Sequence, residues 1–236
     1  MIEETVSPDK EIKAIFDRIA PVYDQLNNWL SFGQHRIWKS MAVKWSEPIV
    51  GGRGLDLCCG SGDLTELLAK QIGKNGEVIG VDFSPKQLAT AKARASQEYP
   101  NYPINWIEAD VLNLPFENNY FDCATMGYGL RNVTDIPLCL KELHRVLRVG
   151  AKAAILDFNH PDTFYLKYFQ KWYLDNIVVS TARYFGLTEE YNYINPSLDR
   201  FPTGRQQIKL GYEAGFSSAI HYPIANDLMG VLVLKK

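Results

Sequence analysis

Gly54-Leu55-Asp56-Leu57-Cys58-Cys59-Gly60-Ser61-Gly62-Asp63-Leu64-Thr65 is the stretch on which the fold turns. It opens as a short apolar strand, breaks at two glycines and passes into a helix. Leu64, Leu67, Leu68 and Ile72 share one face of that helix at a 3.6-residue period, and Gly73 is placed to end it. Strand, glycine turn and helix make the first half of a Rossmann-type nucleotide site, where bare backbone lets a ligand come close. The third glycine of a dinucleotide fingerprint is missing, because the position three beyond Gly62 is Thr65. Downstream, Glu77-Val78-Ile79-Gly80-Val81-Asp82 reads as a second strand. Its terminal Asp82 lies 20 residues beyond Gly62, where a carboxylate can accept hydrogen bonds from both ribose hydroxyls. A nucleoside without a pyrophosphate fits this pattern better than NAD.

The rest of the chain repeats the alternation. Ser84-Pro85-Lys86-Gln87 is a helix start with Ser84 as N-cap, Pro85 at the first helical position and Gln87 closing a capping box. Ile104 to Asp110 reads as a third strand ending on an acid, and Asp110-Val111 is where an adenine ring could rest. The competing reading of Asp110 is an ordinary loop-start aspartate. Phe121 to Tyr128 is a fourth strand, with Gly129-Leu130-Arg131-Asn132 just past its end, where open parallel sheets bind ligands. A helix starting at Thr134-Asp135-Ile136-Pro137 carries Cys139, Leu143, Val146 and Leu147 on one face and ends at Val149-Gly150; Lys152 to Phe158 is a fifth strand. A helix from Thr203 to a stop at Gly215 and two closing strands, 219–224 and 230–234, place one antiparallel strand in the sheet. The class is α/β, a doubly wound, mostly parallel sheet with a C-terminal antiparallel hairpin.

Two segments depart from this rhythm. Residues 1–50 form an aromatic-rich helical segment, either a layer on the sheet or a lid over the site. Residues 160–208 crowd Tyr165, Tyr168, Phe169, Trp172 and Tyr173 into one helix, either the wall of a large apolar substrate site or a buried helix with aromatic filler. The expected division of the single domain is therefore 1–50, a cofactor core at 51–159, an insertion at 160–208, and a final helix and hairpin at 209–236.

Composition narrows the partners. The 236 residues are 46% hydrophobic and 12% aromatic, which indicates a packed globule, and a formal charge of −2 gives no reason to expect nucleic acid. No apolar run is long enough to span a bilayer. The start, with Glu3, Glu4 and Asp9, resembles neither a signal nor a transit peptide, so a cytoplasmic location is expected. Cys58, Cys59, Cys123 and Cys139 form no C-x-x-C; reduced, buried thiols are expected, with Cys58 and Cys59 on opposite sides of a strand. His35, His144, His160 and His221 lack ligand spacing, and no metal is expected.

Three runs carry a resemblance. Phe16-Asp17-Arg18-Ile19-Ala20-Pro21-Val22-Tyr23-Asp24, the Cys59-Gly60-Ser61-Gly62-Asp63 turn and Gly129-Leu130-Arg131-Asn132-Val133-Thr134-Asp135 resemble the ubiquinone/menaquinone biosynthesis C-methyltransferases. Leu156-Asp157-Phe158-Asn159, the 172–179 run and Leu228-Met229-Gly230 look most like the family's demethylphylloquinone branch of cyanobacteria and plants. The resemblance implies a seven-stranded methyltransferase sheet and S-adenosylmethionine as cofactor. By the same resemblance Ser61 and Gly62 face the methionine part, Asp82 the ribose, and Asp110 with Val111 the adenine, with Gly60 also at the cofactor. Gly127 stands where the family has a cofactor-contacting serine, leaving only its backbone. Tyr23, Asp82 and Arg131 match catalytic positions, and Tyr128, Arg131, Asn132, Trp172 and Tyr191 are expected at the substrate.

The implied reaction is C-methylation of 2-phytyl-1,4-naphthoquinone as its quinol, or of demethylmenaquinone or a ubiquinone precursor. Arg131 would stabilise a developing phenolate or orient a relaying water toward Asp82. Expected partners are the phytyl naphthoquinol, a membrane surface touched in passing through 164–173 or the N-terminal helix, and a second copy of the chain. An NAD-dependent oxidoreductase, disfavoured by Thr65, and a non-catalytic nucleoside-binding module are the other classes.

Overall fold

The computed structural model of the chain describes residues 33–161, 163–178 and 194–236. Strands that are apolar on both faces can be stable only between two helical layers. The chain meets this with α1 (His35–Trp45), β1 (Arg53–Leu57), α2 (Asp63–Ile72), β2 (Glu77–Asp82), α3 (Pro85–Glu98), β3 (Ile104–Glu108) and β4 (Phe121–Gly127). A 3-10 turn, Leu130–Asn132, leads to α4 (Ile136–Val146), β5 (Leu147–Phe158), α5 (Phe164–Tyr173) and a π turn, Leu174–Val178. The described remainder is α6 (Ile194–Arg200), α7 (Gly204–Glu213), β6 (Ser218–Ile224) and β7 (Met229–Lys235).

The seven strands run in the order β3-β2-β1-β4-β5-β7-β6. Neighbours from β3 to β5 are parallel, and β7 enters antiparallel between β5 and β6, as expected from the closing hairpin. On one side of the sheet Leu55, Leu57, Phe121 and Met126 pack with Leu140, Leu143 and Val146 of α4. On the other side Leu64, Leu68 and Ile72 of α2 pack against Val78 and Cys123, joined by Val43 of α1. Ala42 of α1 rests on Ala154, Leu156 and Val231. The described part of the N-terminal segment is thus a layer on the sheet.

Several boundaries differ from the sequence reading, each because a tertiary bond intervenes. The α4 helix stops at Val146, not at Val149-Gly150, and Leu147 opens β5 opposite Phe121. The carbonyls of Arg145 and Val146 accept from the amides of Asn119 and Tyr120 at 3.0 and 2.8 Å, which draws the chain out of the helix into the sheet. Gly150, at φ +85, lies on an irregular stretch of β5, where the ladder shifts register. β3 ends at Glu108, because the Asp110 carboxylate accepts from Leu112 N at 2.9 Å and turns the chain. β1 ends at Leu57, and Cys58 leaves it with φ +51, so the adjacent cysteines are not on two faces of one strand. All four thiols are free, with Cys59, Cys123 and Cys139 buried.

Helix starts follow local chemistry, but the capping box expected at Ser84 and Gln87 is half made, because the Ser84 amide donates to Asp82 Oδ1 at 2.9 Å. Ser84 accepts from Gln87 N at 3.2 Å, and Thr203 and Gln206 form a reciprocal capping box, caps worth about 1 kcal/mol each. The α7 helix crosses the expected boundary at residue 208. None of α5 is buried: Phe164, Tyr165 and Tyr168 are exposed, which removes the reading of that helix as aromatic core filler.

A cavity at the carboxyl ends of β1, β2 and β4

Strand order reverses between β1 and β4, and a parted pair of crossovers leaves a crevice there. A cavity of about 590 Å³ fills it. Its wall begins at the glycine turn, which is shaped by three left-handed residues, Cys58 (φ +51), Gly60 (φ +53) and Gly62 (φ +94). Cys58 adopts this region without being glycine, a strained conformation of the kind found at functional sites. Asp82 ends β2 beside the turn, with Oδ2 accepting from Gly60 N and Oδ1 from Ser84 N, both at 2.9 Å. A carboxylate offers about four lone-pair sites, so this clamp is compatible with accepting ribose hydroxyls as well.

Of the residues expected at the cofactor, Gly60, Ser61, Asp82, Asp110, Val111 and Gly127 line the cavity. Gly62 does not. It is the left-handed N-cap of α2, and a Cβ there would stand 2.6 Å from Trp106 Cη2. The Trp106 ring from β3 also covers Gly80, where a Cβ would meet it at 2.8 Å. Gly62 therefore gives room to an indole under the turn. At Gly127 a Cβ would lie 2.6 Å from Leu64 Cδ1, so leucine fills the place of the absent side chain.

The Tyr128–Asn132 corner forms another part of the wall, with Tyr128 and Asn132 lining the cavity. Tyr128 has φ +59 and is over-determined by bonds: its N–H donates to Leu156 O at 2.7 Å, and its carbonyl accepts from Arg131 Nη1 at 2.9 Å and Asn132 Nδ2 at 3.1 Å. Arg131 itself does not line the cavity. Its guanidinium is buried over the Phe158 ring and faces Asp157, with Nη1 to Oδ1 at 3.6 Å, while its backbone N–H donates to Asp157 Oδ2. Burial pushes the Asp157 carboxyl up, and the Arg131 charge and backbone amides pull it back in part. Arg131 Nε and Asn132 Oδ1 are buried polar atoms with no hydrogen-bond partner among the described residues, a donor and an acceptor in one corner. Trp172, on α5, does not line the cavity, and Tyr23 and Tyr191 lie outside the described residues.

Two functional candidates escaped the sequence reading. Asp56, in the middle of β1, is fully buried and lines the cavity; Thr65 Oγ1 donates to it at 2.6 Å and Thr125 Oγ1 at 2.9 Å. Thr65 occupies the missing-glycine position because its hydroxyl serves this acid. An aspartate between two strand leucines was the available signal, since a buried carboxylate needs dedicated donors. The second candidate, Lys39, comes from α1.

Burial pushes the Asp56 carboxyl up to about 7 from 3.8, against the pull of the two threonine hydroxyls. Between these values the folded chain keeps a proton that the unfolded chain releases. The contribution of Asp56 to stability is therefore full below pH 4 and is lost as pH rises toward 7, at up to about 1.4 kcal/mol per pH unit. Asp56→Asn should flatten the pH dependence of the urea midpoint over this window; an unchanged slope would assign the proton to another group.

The profile of the ubiE/COQ5 methyltransferase family matches residues 4–233. The chain belongs to that family. It is a methyltransferase, and the oxidoreductase and binding-module readings fall with this assignment. A protein of Nostoc punctiforme named 2-phytyl-1,4-naphtoquinone methyltransferase is 63% identical over 226 residues, covering 96% of this chain and 98% of its own. The chloroplastic 2-phytyl-1,4-beta-naphthoquinone methyltransferase of Arabidopsis thaliana is 49% identical, covering 97% of this chain and 88% of its own. The fold is shared with a SAM dependent methyltransferase from Aquifex aeolicus at a TM-score of 0.63 and 14% identity, over 89% of this chain and 96% of that one. No described helix is long and apolar enough to cross a membrane.

Proposed function

We propose that this chain transfers the methyl group of S-adenosylmethionine to a ring carbon of 2-phytyl-1,4-naphthoquinone, held as the quinol, in phylloquinone biosynthesis. The observation that carries the reading is the 63% identity, along nearly the whole chain, to a relative named for that reaction. The cavity supports it, with an acid at the end of β2 for a ribose, a turn with backbone exposed to a nucleoside, and the Asp110-Val111 turn for an adenine. Gly60, Ser61, Asp82, Asp110 and Val111 would hold the cofactor, which when bound would supply a methyl group activated by a cationic sulfur; the proton displaced from the ring carbon would return to the phenolate oxygen and restore the quinol.

The chain's own task is to make the ring carbon nucleophilic. A phenol with a pKa of about 10 is little ionised at neutral pH, so a cation must favour the phenolate. Arg131 is the candidate, held by Asp157 and the Tyr128 carbonyl behind the wall that Tyr128 and Asn132 present. The unmatched Arg131 Nε–H and Asn132 Oδ1 suit a hydroxyl or a water in that corner. Trp172 and Tyr191 remain assigned to the substrate and Tyr23 to the catalytic site, and the 1–50 and 160–208 segments to its enclosure. The phytyl tail is delivered from a membrane surface, which α5 touches from the cytoplasmic side: its exposed Phe164, Tyr165 and Tyr168 lie beside Lys167 and Lys171, a pairing suited to an interface.

The test is transfer of labelled methyl to 2-phytyl-1,4-naphthoquinone in anionic lipid vesicles, with and without prior reduction, alongside demethylmenaquinone. Turnover is expected only after reduction, with the phytyl compound preferred and the chain floating with the vesicles. Turnover of the oxidised quinone would overturn the phenolate step. A preference for demethylmenaquinone would overturn the substrate, and failure to float would overturn the membrane contact.

A further inference from the structure

The cavity lining is acidic, with Asp56, Asp63, Asp82, Glu108 and Asp110. Among the described lining residues Lys39 is the only lysine or arginine. It does not belong to the nucleotide core: α1, which precedes the first strand, brings it there, pinned by buried Ala42 and Val43 on the turn that follows. Its side chain is 7% exposed, and Nζ donates to Asp63 Oδ2 at 2.5 Å and stands 5.8 Å from the Tyr128 ring centre. An ammonium has three donors, so the pair with Asp63 leaves it able to bind a second acceptor.

Asp63, at the start of α2, is doubly held, with Arg94 from α3 at 2.7 Å on its other oxygen. The two cations keep its carboxyl at about 2 despite burial, so it is ionised across the working range. His35, one turn before Lys39, is pushed down to about 4 by burial and by the neighbouring Lys39 charge, so at neutral pH it adds no second cation. The result is one ammonium and one carboxylate side by side on the wall. That pair is the complement of an α-amino acid, which carries a carboxylate and an ammonium on one carbon.

We propose that Lys39 binds the α-carboxylate of the cofactor's amino-acid end while Asp63 receives its α-ammonium, so that α1 reads the part of the ligand that the glycine turn does not. The assignment rests on the S-adenosylmethionine reading of the cavity. It makes Lys39 a ligand-recognition residue outside the nucleotide core, and explains why a lysine is buried on a helix whose other task is to cover the sheet. Asp63 keeps Arg94 when Lys39 is replaced, so the substitution does not strand a buried charge.

Calorimetry on the full chain, without quinone, would compare S-adenosylmethionine, its decarboxylated analogue and 5′-methylthioadenosine across wild type, Lys39→Met and Lys39→Arg. The decarboxylated compound retains the sulfonium and the ammonium, and methylthioadenosine lacks the whole amino-acid end. Wild type should prefer S-adenosylmethionine to the decarboxylated analogue by about 10- to 100-fold, the range of a charge-assisted hydrogen bond. Lys39→Met should erase that preference and leave methylthioadenosine affinity unchanged, and Lys39→Arg should restore part of it. A wild-type ratio near unity, or a ratio that survives Lys39→Met, overturns the proposal. Equal weakening of all three ligands makes Lys39 a packing residue and overturns it too. If wild type binds none of the three, the cofactor reading of the cavity falls, which is a different failure from binding without carboxylate preference.

Discussion

Arg131→Ala is expected to lower turnover of the naphthoquinol by about 10²- to 10³-fold, the usual effect of removing a donor that stabilises developing negative charge. The same substitution should also destabilise the fold, because it leaves the Asp157 carboxyl buried without its cation. Breaking a buried pair from one side costs about 3–5 kcal/mol, enough to mimic a catalytic defect by unfolding. The discriminating variant is therefore Arg131→Ala with Asp157→Asn, in which no unpaired charge remains. That double variant should regain most of the lost urea midpoint and bind S-adenosylmethionine as wild type does, while turnover stays low. Recovery of turnover along with stability would mean that Arg131 serves only to neutralise Asp157. The phenolate role would then have to move to a group that lines the cavity itself.

Gly62→Ala should be the most damaging small substitution in the turn. Two costs combine there: a left-handed φ of +94, disfavoured by about 1–2 kcal/mol with a side chain, and a Cβ 2.6 Å from the Trp106 ring, an overpacking cost of about 1–3 kcal/mol. Trp106→Leu, which takes the ring away from Gly62, separates the two: in that background Gly62→Ala reports the backbone cost alone. The loss of urea midpoint caused by Gly62→Ala should be smaller in the Trp106→Leu background than in the wild-type chain. Calorimetry should show about 10-fold or greater loss of S-adenosylmethionine affinity for Gly62→Ala, because Gly60 and Ser61 on the cavity wall move with Gly62. Equal losses in the two backgrounds would show that the Trp106 contact relaxes without penalty.

These two residues illustrate how differently the parts of the site could be read. The glycine turn, the strand-ending Asp82 and the Arg131–Asn132 corner were legible because each depends on a residue type at a fixed distance from a strand end. Periodicity alone distinguished apolar strands from one-faced helices, and with the turn chemistry that was enough for a parallel sheet, its cavity and its antiparallel closing strand. The Ser84 cap could be placed for the same reason, since its partner Gln87 is three residues away.

What could not be read depends on contacts between residues far apart in the chain. Lys39 and Asp63 are separated by 24 residues, and Asp56 and Thr125 by 69, so no local pattern links them. The turning of Arg131 away from the cavity toward Asp157 is likewise a bond across 26 residues. The end of α4 moved for this reason too: Asn119 and Tyr120 claim carbonyls that a helix would have left to its own next turn. A chain's local pattern sets which elements form and which strand ends face a ligand. Which buried charges meet, and which of them reach the cavity, is settled only when those elements pack, because a charge removed from water must find a partner wherever the fold provides one.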